Sequence, residues 1–348
     1  MPEQIMPKNF PEQLGEQQQQ NENGEPRGEE QQLNYQNTRT NVHPLIVQLC
    51  RCELDEEEEK GGKGKAAEAK REKSPPEPIF RAEEHNVQFD PDQYLDGFYK
   101  SAREDTAMQI VLFFLPGMIC RLPNNIETML DLGAGPTVYI PLCARNHVAS
   151  FFSSDYAQAN RKRLIDWVEG RNQFDWAEIC KWIANIEANN ESAEQMQEKT
   201  RKKMRAVLEF DFYVDVHKRP VIRATDYRAD EHVKVPEQFE LVATVFCMEY
   251  SCEDLDGYRK AISGACGLIK PGGWLLQGGI FHATEYSFGG KRFSSHFLRR
   301  EDVFMALKEN GMCSQKGATH DEFHFITHED IFLLLAKKVG TSGAEGKQ

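Results

Sequence analysis

Residues 129–139, Met-Leu-Asp-Leu-Gly-Ala-Gly-Pro-Thr-Val-Tyr, decide the fold of this chain. Their apolar beginning is typical of the end of a buried strand. Gly133 and Gly135 predict a tight turn at which a ligand can touch the main chain, because glycine adopts backbone angles that other residues avoid. Pro136 suits the first position of a helix, where the N–H that proline lacks would have no partner. The stretch therefore predicts a strand, a glycine-rich turn and a helix start that favours polar or negatively charged ligand groups.

A second stretch indicates what kind of ligand the turn binds. Residues 150–155, Ser-Phe-Phe-Ser-Ser-Asp, predict a strand that ends in an acid. An acid about 20 residues beyond the turn is positioned to bind a ribose. The dinucleotide fingerprint requires a third glycine where this chain has Val138, so a nicotinamide-dinucleotide oxidoreductase is disfavoured. The D-x-G-x-G turn with the later acid Asp155 is instead the usual S-adenosylmethionine pattern, and an ordinary glycine-rich turn of an α/β protein is the alternative.

Composition excludes several classes of protein. The chain has 348 residues, a formal net charge of -13 and nine cysteines. The negative charge disfavours non-specific binding of nucleic acid. No apolar run is long enough to span a membrane, and no targeting peptide is evident at the N-terminus. An odd number of scattered cysteines indicates reduced thiols, so we expect a cytoplasmic protein. We also expect the protein to be a monomer.

The two ends of the chain differ in composition from its centre. Residues 1–80 contain a polyglutamine run at 17–20 and an acidic block at 55–59. Such a segment cannot bury enough apolar surface to offset its chain entropy, so we expect residues 1–80 and 341–348 to be disordered. We expect residues 81–340 to form one folded domain.

Strands and helices alternate along this domain, which predicts an α/β fold whose mostly parallel sheet is covered by helices on both faces. The predicted strands end at Asp131 and Asp155 and continue at 221–226, 239–247, 274–278 and 331–336. Residues 207–216 could form an additional strand. The apolar segment 107–120 predicts a buried helix that is broken near Pro116.

Six blocks in the same order resemble the small-amine N-methyltransferases, which include the nicotinamide, phenylethanolamine, indolethylamine and thioether methyltransferases. The blocks are residues 89–99, 130–139, 155–156, 246–249, 268–273 and 293–295. The similarity covers residues 81–340. It implies a Rossmann-like class I methyltransferase fold with a seven-stranded sheet, an antiparallel last hairpin and an N-terminal helical lid. It also implies S-adenosyl-L-methionine as the methyl donor, a small amine or pyridine as the acceptor, and no metal.

The resemblance implies roles for individual residues in binding the donor. Tyr94 and Tyr99 would reach over the donor from the lid, and Tyr99 is also a catalytic candidate. Asp155 would bind both ribose hydroxyls. The other implied donor-binding residues are Gly133, Gly135, Thr137, Tyr139, Tyr156, Asn160 and Val245.

The resemblance leaves three acids as candidates for binding the adenine amino group. Asp226, together with Tyr227, has the distance from the strand at 239–247 that fits the family. Asp211 and Asp215 are rivals, because this region is longer here than is usual in the family.

The resemblance also implies residues that bind the acceptor. Glu249 has the Phe-Cys-Met-Glu setting of the phenylethanolamine branch, in which this acid contacts the amine, so Glu249 is a substrate-binding and catalytic candidate. Gly279 occupies the position of an acid in the nicotinamide and indolethylamine branches. A later acid of the phenylethanolamine branch falls at Ala283, with Glu285 nearby. Two further positions that line the acceptor pocket are Tyr286 and Ser295.

Glu249 and Gly279 favour a phenylethanolamine or other arylalkylamine as acceptor, and nicotinamide stays open because the scaffold is shared. A different hypothesis is a catalytically inactive binding protein that retains the fold and acts through its N-terminal tail, but the donor-binding residues are intact. His320, His324 and His328 would align as metal ligands on a helix. An extended segment would separate them, so we expect no metal.

Overall fold

The computed structural model describes residues 78–100, 102, 105–171, 173–211, 221–312 and 323–340. The tail up to residue 77, the C-terminal residues 341–348, Asp215 and His320 lie outside these ranges. The described fold begins slightly before the predicted boundary at residue 81, because Ile79–Phe80 already form a strand.

Strands and helices alternate through most of the described chain. The strands are β1 (Ile79–Phe80), β2 (Ile126–Leu132), β3 (Val148–Asp155), β4 (Met204–Asp211), β5 (Val221–Arg228), β6 (Phe239–Val245), β7 (Ile269–Ile280), β8 (Glu285–Phe288), β9 (Lys291–Ser294), β10 (His324–His328) and β11 (Ile331–Lys337). The helices are α1 (His85–Gln88), α2 (Pro91–Phe98), α3 (Thr106–Ile119), α4 (Tyr139–Ala144), α5 (Gln158–Val168), α6 (Ala177–Ile186), α7 (Ala193–Lys203), α8 (Leu255–Gly267) and α9 (Arg300–Glu309).

Eight of the described strands form one mixed sheet in the order β10-β11-β7-β6-β2-β3-β4-β5. The five central strands, β7 to β4 in this order, are parallel. Strands β11 and β10 are antiparallel at one edge, and β5 is antiparallel at the other. The predicted α/β fold and its antiparallel last hairpin are therefore confirmed, but the described part of the sheet has eight strands where the resemblance implied seven.

The third parallel strand is β4, and the prediction that residues 221–226 form it is wrong. Apolar residues of β4 are buried on both faces, as expected for a strand inside a parallel sheet. The predicted residues instead lie in β5, whose charged Asp226 and Arg228 suit a strand at the edge of a sheet. This exchange moves the carboxyl end of the third parallel strand from Asp226 to Asp211.

Helices cover both faces of the sheet, and each face has its own apolar core. One core includes residues of α3, α6 and α7, and the other includes residues of α8 and α9. The predicted break of the first buried helix is wrong: α3 runs from Thr106 to Ile119 with Pro116 inside it. No helix in the described ranges combines the length and the apolar character that crossing a bilayer requires.

The N-terminal segment, residues 78–99, lies over the end of the sheet at which the parallel strands finish. Asp90 caps α2 by accepting hydrogen bonds from the backbone N–H groups of Asp92 and Gln93. Strand β1 pairs in parallel with β9, which forms a hairpin with β8. These elements surround an aromatic cluster built on Tyr286, Phe288 and Phe293.

The helix after the glycine-rich turn begins later than predicted. The turn extends through Val138, and α4 starts at Tyr139. Pro136 therefore belongs to the turn and not to the first position of the helix. Since α4 has only six residues, the turn itself forms this side of the site.

Candidate functional site

The main cavity lies where β2, β3, β4 and β6 end, between the sheet and the N-terminal segment. Strand β2 has β3 on one side and β6 on the other, so the chain changes direction here and leaves the crevice in which open α/β sheets bind ligands. The cavity is a concave site that is partly open to solvent. We call it the donor cavity. The predicted site residues that line it are Tyr94, Tyr99, Gly133, Gly135, Thr137, Tyr139, Asp155, Tyr156, Asn160, Val245 and Tyr286.

The glycine-rich turn forms the floor of the donor cavity. Gly133 has φ +71°, and a Cβ atom there would lie 2.1 Å from Sγ of Cys247. Both the backbone angle and the packing therefore require glycine. Gly135 has φ +60°, and its N–H donates a hydrogen bond of 2.8 Å to Oδ2 of Asp155. The turn is thus tied directly to the acid at the end of β3.

Asp155 is held by three hydrogen bonds at the cavity wall. In addition to the bond from Gly135, its Oδ1 accepts bonds from the Ala157 N–H at 2.8 Å and from the Asn160 side chain at 3.0 Å. Burial raises the pKa of Asp155, and these three donors act in the opposite direction. Because carboxylate oxygens can each accept more than one hydrogen bond, a ribose diol can still donate to this fixed side chain.

Asp131 is buried beneath the turn at the end of β2. Neither of its carboxyl oxygens has a hydrogen-bond partner in the described part of the chain. Burial raises the pKa of Asp131 well above its usual value, and the charge of Asp155 raises it further. An unpaired buried acid is costly, so this site fits a ligand that brings positive charge to the turn.

The acid at the end of β4 lines the donor cavity, whereas the predicted adenine-binding acid does not. Asp211 is buried in the cavity wall beside Phe210. Asp226 and Tyr227 lie on the edge strand β5 and are not among the lining residues. The resemblance-based choice of Asp226 and Tyr227 therefore conflicts with the strand order, and Asp211 has the position that this role requires.

Asp226 is instead linked to the wall of the donor cavity by the buried side chain of Arg161. Its Oδ2 accepts a 2.7 Å hydrogen bond from Nε of Arg161. The same guanidinium donates to the backbone carbonyl groups of Asp155 and Tyr156, at 3.1 and 2.7 Å. Arg161 therefore fixes the backbone of the loop that carries the ribose-type acid.

Tyrosines from the N-terminal segment cover the donor cavity. The hydroxyl of Tyr99 makes hydrogen bonds with Tyr94 and Tyr139, and burial raises the pKa of Tyr99 well above its usual value. The segment is also bound to α5, where Asn86 accepts a hydrogen bond from the Gln158 N–H at 3.0 Å. Tyr99 is almost fully buried, so its aromatic ring and hydroxyl form part of a rigid wall.

A second, more apolar cavity adjoins the first, and we call it the acceptor cavity. Tyr94, Phe246, Tyr250 and Tyr286 line both cavities. The rings of Tyr250 and Tyr286 are stacked, with centroids 4.1 Å apart and an interplanar angle of 28°. Its other lining residues are Phe98, Asp105, Ala107, Met108, Ile280, Ser287 and Ile331.

The backbone is strained where the two cavities meet. Phe246, directly after β6, has φ +54°, which is unusual for a residue with a large side chain. Its N–H donates a 3.0 Å hydrogen bond to the carbonyl of Gly278 on the neighbouring strand. Strain of this kind concentrates at functional sites, where surrounding structure holds it in place.

Glu249 is fully buried but lines neither cavity. Its Oε1 accepts a 3.0 Å hydrogen bond from the N–H of Ile280, and its Oε2 has no partner among the described residues. Burial raises the pKa of Glu249 to about 7. The carboxyl group lies against Gly279, where a Cβ atom would approach Oε1 to 2.6 Å.

The remaining predicted acceptor residues lie in different surroundings. Tyr286 is at the junction of the two cavities, and its hydroxyl is 3.0 Å from Nε2 of His85. Ser295 is buried but lines neither cavity. Glu285 forms an ion pair with Arg292 on the neighbouring strand β9, so it does not replace the acid missing at Ala283.

Sequence reasoning missed several residues that line the cavities. His85, Phe89 and Tyr250 line the donor cavity, and Asp105 lines the acceptor cavity. Tyr250 could have been found, because it directly follows the block that ends at Glu249. His85 and Asp105 have no signal of this kind, since only the folding of the N-terminal segment over the sheet brings them to the site.

The histidines of the predicted metal pattern are on an extended strand. His324 and His328 are the two ends of β10, which places them roughly 13 Å apart along the strand. A spacing of this size is too large for a shared metal ion.

The group that the resemblance implies can be tested against these residues. S-adenosylmethionine carries two positive charges, a carboxylate, a ribose and an adenine. The unpaired acid Asp131 suits the positive charges, Asp155 suits the ribose, and the glycine-rich turn leaves room for close approach to the main chain. The residues present therefore fit the donor.

The switch point of the parallel sheet and the donor cavity together define the class of this protein. It has the fold of the class I methyltransferases, and its methyl donor is S-adenosylmethionine. Within that class, the chain belongs to the NNMT/PNMT/TEMT family, whose sequence model matches residues 77–339.

The chain is similar to named members of the nicotinamide and phenylethanolamine branches. It is 52% identical over 256 residues to the nicotinamide N-methyltransferase of Caenorhabditis elegans, covering 74% of this chain and 91% of that protein. It is 27% identical over 259 residues to the nicotinamide N-methyltransferase of Sus scrofa, covering 72% and 93%. It is 29% identical over 220 residues to the phenylethanolamine N-methyltransferase of Macaca mulatta, covering 62% and 74%. The chain is an S-adenosylmethionine-dependent N-methyltransferase, and the hypothesis of an inactive binding protein is wrong.

Proposed function

We propose that this enzyme methylates the ring nitrogen of nicotinamide or a closely similar small pyridine. The observation that carries the proposal is the acceptor cavity, whose stacked Tyr250 and Tyr286 suit a flat aromatic ring. The 52% identity to a nicotinamide N-methyltransferase supports the same acceptor. The sequence-based preference for an arylalkylamine depended on Glu249 and Gly279, and Glu249 is buried without lining the acceptor cavity.

We also propose roles for the residues of the donor cavity. Asp155, with Asn160 beside it, would hold the ribose hydroxyls. Asp211 would accept a hydrogen bond from the adenine amino group, because it lines the cavity at the end of β4. Further residues proposed to contact the donor are Tyr94, Tyr99, Gly133, Gly135, Thr137, Tyr139, Tyr156 and Val245.

The enzyme would act mainly by positioning. The bound donor supplies an electrophilic methyl group on a sulfonium sulfur. A pyridine nitrogen is neutral near pH 7 and has its lone pair in the ring plane, so the site needs no general base. Tyr250 and Tyr286 would fix the plane of the acceptor ring and aim its nitrogen at the donor cavity, which favours the in-line geometry of displacement. Their electron-rich faces would also stabilise the positive charge that the product ring acquires.

The tyrosine wall would contribute by excluding water. Tyr94 and Tyr99 are hydrogen-bonded to each other over the donor cavity, and Tyr99 also bonds to Tyr139. A rigid, largely apolar enclosure protects the sulfonium from hydrolysis and strengthens the electrostatic interactions inside it. In this account Tyr99 supports the reaction as part of the enclosure.

A second candidate acceptor is an arylalkylamine, which a specific feature of Glu249 favours. Its carboxyl group is buried, has one oxygen without a partner and has a pKa near 7. Such a group could take up the proton that an ammonium must lose before its nitrogen attacks. For this role the side chain of Glu249 would have to turn towards the acceptor cavity.

The two candidates are separated by a methyl-transfer assay on the full-length enzyme. Nicotinamide, phenylethanolamine and an indolethylamine are compared at equal concentration, with methylated products detected by mass spectrometry. We expect nicotinamide to have the highest kcat/KM and the Glu249→Gln variant to retain this activity. Turnover of the amines alone, abolished by Glu249→Gln, would reverse the assignment.

We further infer a cytoplasmic location and a catalytic domain at residues 81–340, which β1 directly precedes. The six cysteines in the described ranges are all free thiols, which supports a reducing compartment.

A further inference from the structure

In the nicotinamide branch, the strand that corresponds to β7 carries an acid, and β7 of this chain has no acid at that position. Gly279 on β7 occupies that position, and Oε1 of Glu249 lies 2.6 Å from where its Cβ atom would be. No side chain fits there unless Glu249 moves. The acceptor cavity is therefore lined on this side by Ile280, whose N–H is already bonded to Glu249.

One carboxylate nevertheless lines the acceptor cavity, and it belongs to the residue directly before α3. Asp105 is the only acid among the described lining residues of that cavity. It caps α3, and its Oδ1 accepts a 2.8 Å hydrogen bond from the N–H of Met108. This bond fixes the side chain, and a carboxylate can accept several hydrogen bonds at once because it has about four lone-pair positions.

The charge of Asp105 acts on two of the aromatic residues that line the cavity. Burial is the largest cause of the raised pKa of both Tyr94 and Tyr250, and the nearby charge of Asp105 adds to it. Asp105 lines the acceptor cavity and not the donor cavity, whereas Tyr94 and Tyr250 line both. An acceptor whose reacting nitrogen lies at the shared walls therefore has its other end available to Asp105.

We propose that Asp105 determines acceptor specificity by accepting a hydrogen bond from the carboxamide N–H of nicotinamide. The inference rests on the proposed function and names a residue for it. A carboxylate can pair with the amide N–H, cannot pair with a methyl ketone and repels a second carboxylate. Asp105 thus selects nicotinamide over 3-acetylpyridine, which has the same shape without the N–H, and over nicotinate.

The test is a comparison of kcat/KM for these three pyridines with the wild-type enzyme and the variant Asp105→Ser. Serine retains the cap on α3, which separates recognition from folding. The wild type should prefer nicotinamide over 3-acetylpyridine by roughly ten- to hundredfold, the effect of one hydrogen bond to a charged group. In Asp105→Ser that preference should fall to within about threefold, mainly through KM.

Nicotinate provides the complementary readout. The variant Asp105→Asn keeps the shape and the cap but removes the charge, so its turnover of nicotinate should rise at least several-fold over the wild type. Asp96→Asn, an exposed acid of α2 paired with Lys100, is the control and should change neither ratio.

The outcomes separate this inference from the proposed function. If the wild type methylates nicotinamide and Asp105→Ser keeps the full preference over 3-acetylpyridine, the role of Asp105 is wrong and the pyridine assignment stands. If the wild type methylates none of the three pyridines, the proposed function itself is wrong.

Discussion

At the scale of single residues, the site is defined by three acids that the fold buries near the carboxyl ends of its strands. Asp131, Asp155 and Asp211 stand at the ends of three neighbouring parallel strands. All three are buried, and two of them line the donor cavity. Burial of charge is unfavourable unless a partner compensates it, so this arrangement favours a ligand with positive charge and hydrogen-bond donors.

Asp131 should make donor binding depend on pH. Burial raises the pKa of Asp131 and so favours its protonated form in the free enzyme, and a cationic ligand lowers that pKa by favouring the charged form. Binding of S-adenosylmethionine should therefore release a proton, and affinity should increase as pH rises. Calorimetric titrations in buffers of different ionisation enthalpy measure this proton directly. Asp131→Asn should bind without the release, and an unchanged proton count in that variant would contradict the assignment.

The buried carboxyl group of Glu249 should lower the free energy of unfolding as the pH rises. An acid with a folded-state pKa of about 7 holds a proton that the unfolded chain has lost, so its contribution becomes unfavourable between its ordinary pKa and 7. Between pH 5 and pH 8 the wild type should lose about 2.5 kcal/mol of unfolding free energy relative to Glu249→Gln. Urea unfolding across this range measures the difference. The exposed Glu237→Gln is the control for loss of a carboxylate, and parallel curves for wild type and Glu249→Gln would refute the prediction.

At the scale of elements, the edge strand β5 reaches the donor cavity only through Arg161. Asp226 on β5 binds the guanidinium, which in turn holds the backbone carbonyls of Asp155 and Tyr156. The additional strand of this sheet thus has a consequence for the site, although none of the described residues that line the donor cavity belongs to β5.

Loss of the Asp226 carboxylate should therefore weaken donor binding without affecting the chemical step. Asp226→Asn should raise the Kd for S-adenosylhomocysteine by roughly three- to tenfold, because the ion pair is partly exposed and acts through the loop backbone. The value of kcat at saturating donor should not change. Calorimetry and steady-state kinetics measure the two quantities, and Asp230→Asn, an exposed acid beyond the end of the same strand, is the control. An equal Kd for Asp226→Asn and wild type would mean that Arg161 holds the loop unaided.

Much of the element pattern could be predicted from sequence, and the errors have a common cause. The glycine-rich turn, the acid at the end of β3 and the cap of α2 are local signals, and the structure contains each of them. The order of β4 and β5 was predicted wrongly because it depends on which strand pairs in parallel with β3, a long-range choice that short apolar runs do not reveal. The acceptor residues were least predictable, since Asp105 meets the cavity only in the folded chain.

At the scale of the whole molecule, the donor and acceptor cavities are parts of one enclosure. The sheet supplies the floor, and the N-terminal segment with β1, β8 and β9 supplies the cover. Four aromatic residues line both cavities: Tyr94, Phe246, Tyr250 and Tyr286. In the proposed reaction, this shared wall holds the acceptor beside the donor.

The measurement that tests this account most directly is calorimetric titration of the full-length enzyme and Asp155→Ala with S-adenosylhomocysteine. Thermal unfolding first establishes that the variant is folded. The control is Asp166→Ala, which removes an acid of α5 that is not among the residues lining the donor cavity. The account predicts tight binding by the wild type and by Asp166→Ala, and a roughly ten- to hundredfold weaker Kd for Asp155→Ala because charged hydrogen bonds to the ribose are lost. Equal binding by folded Asp155→Ala would contradict the placement of the donor at the carboxyl ends of β2, β3 and β4.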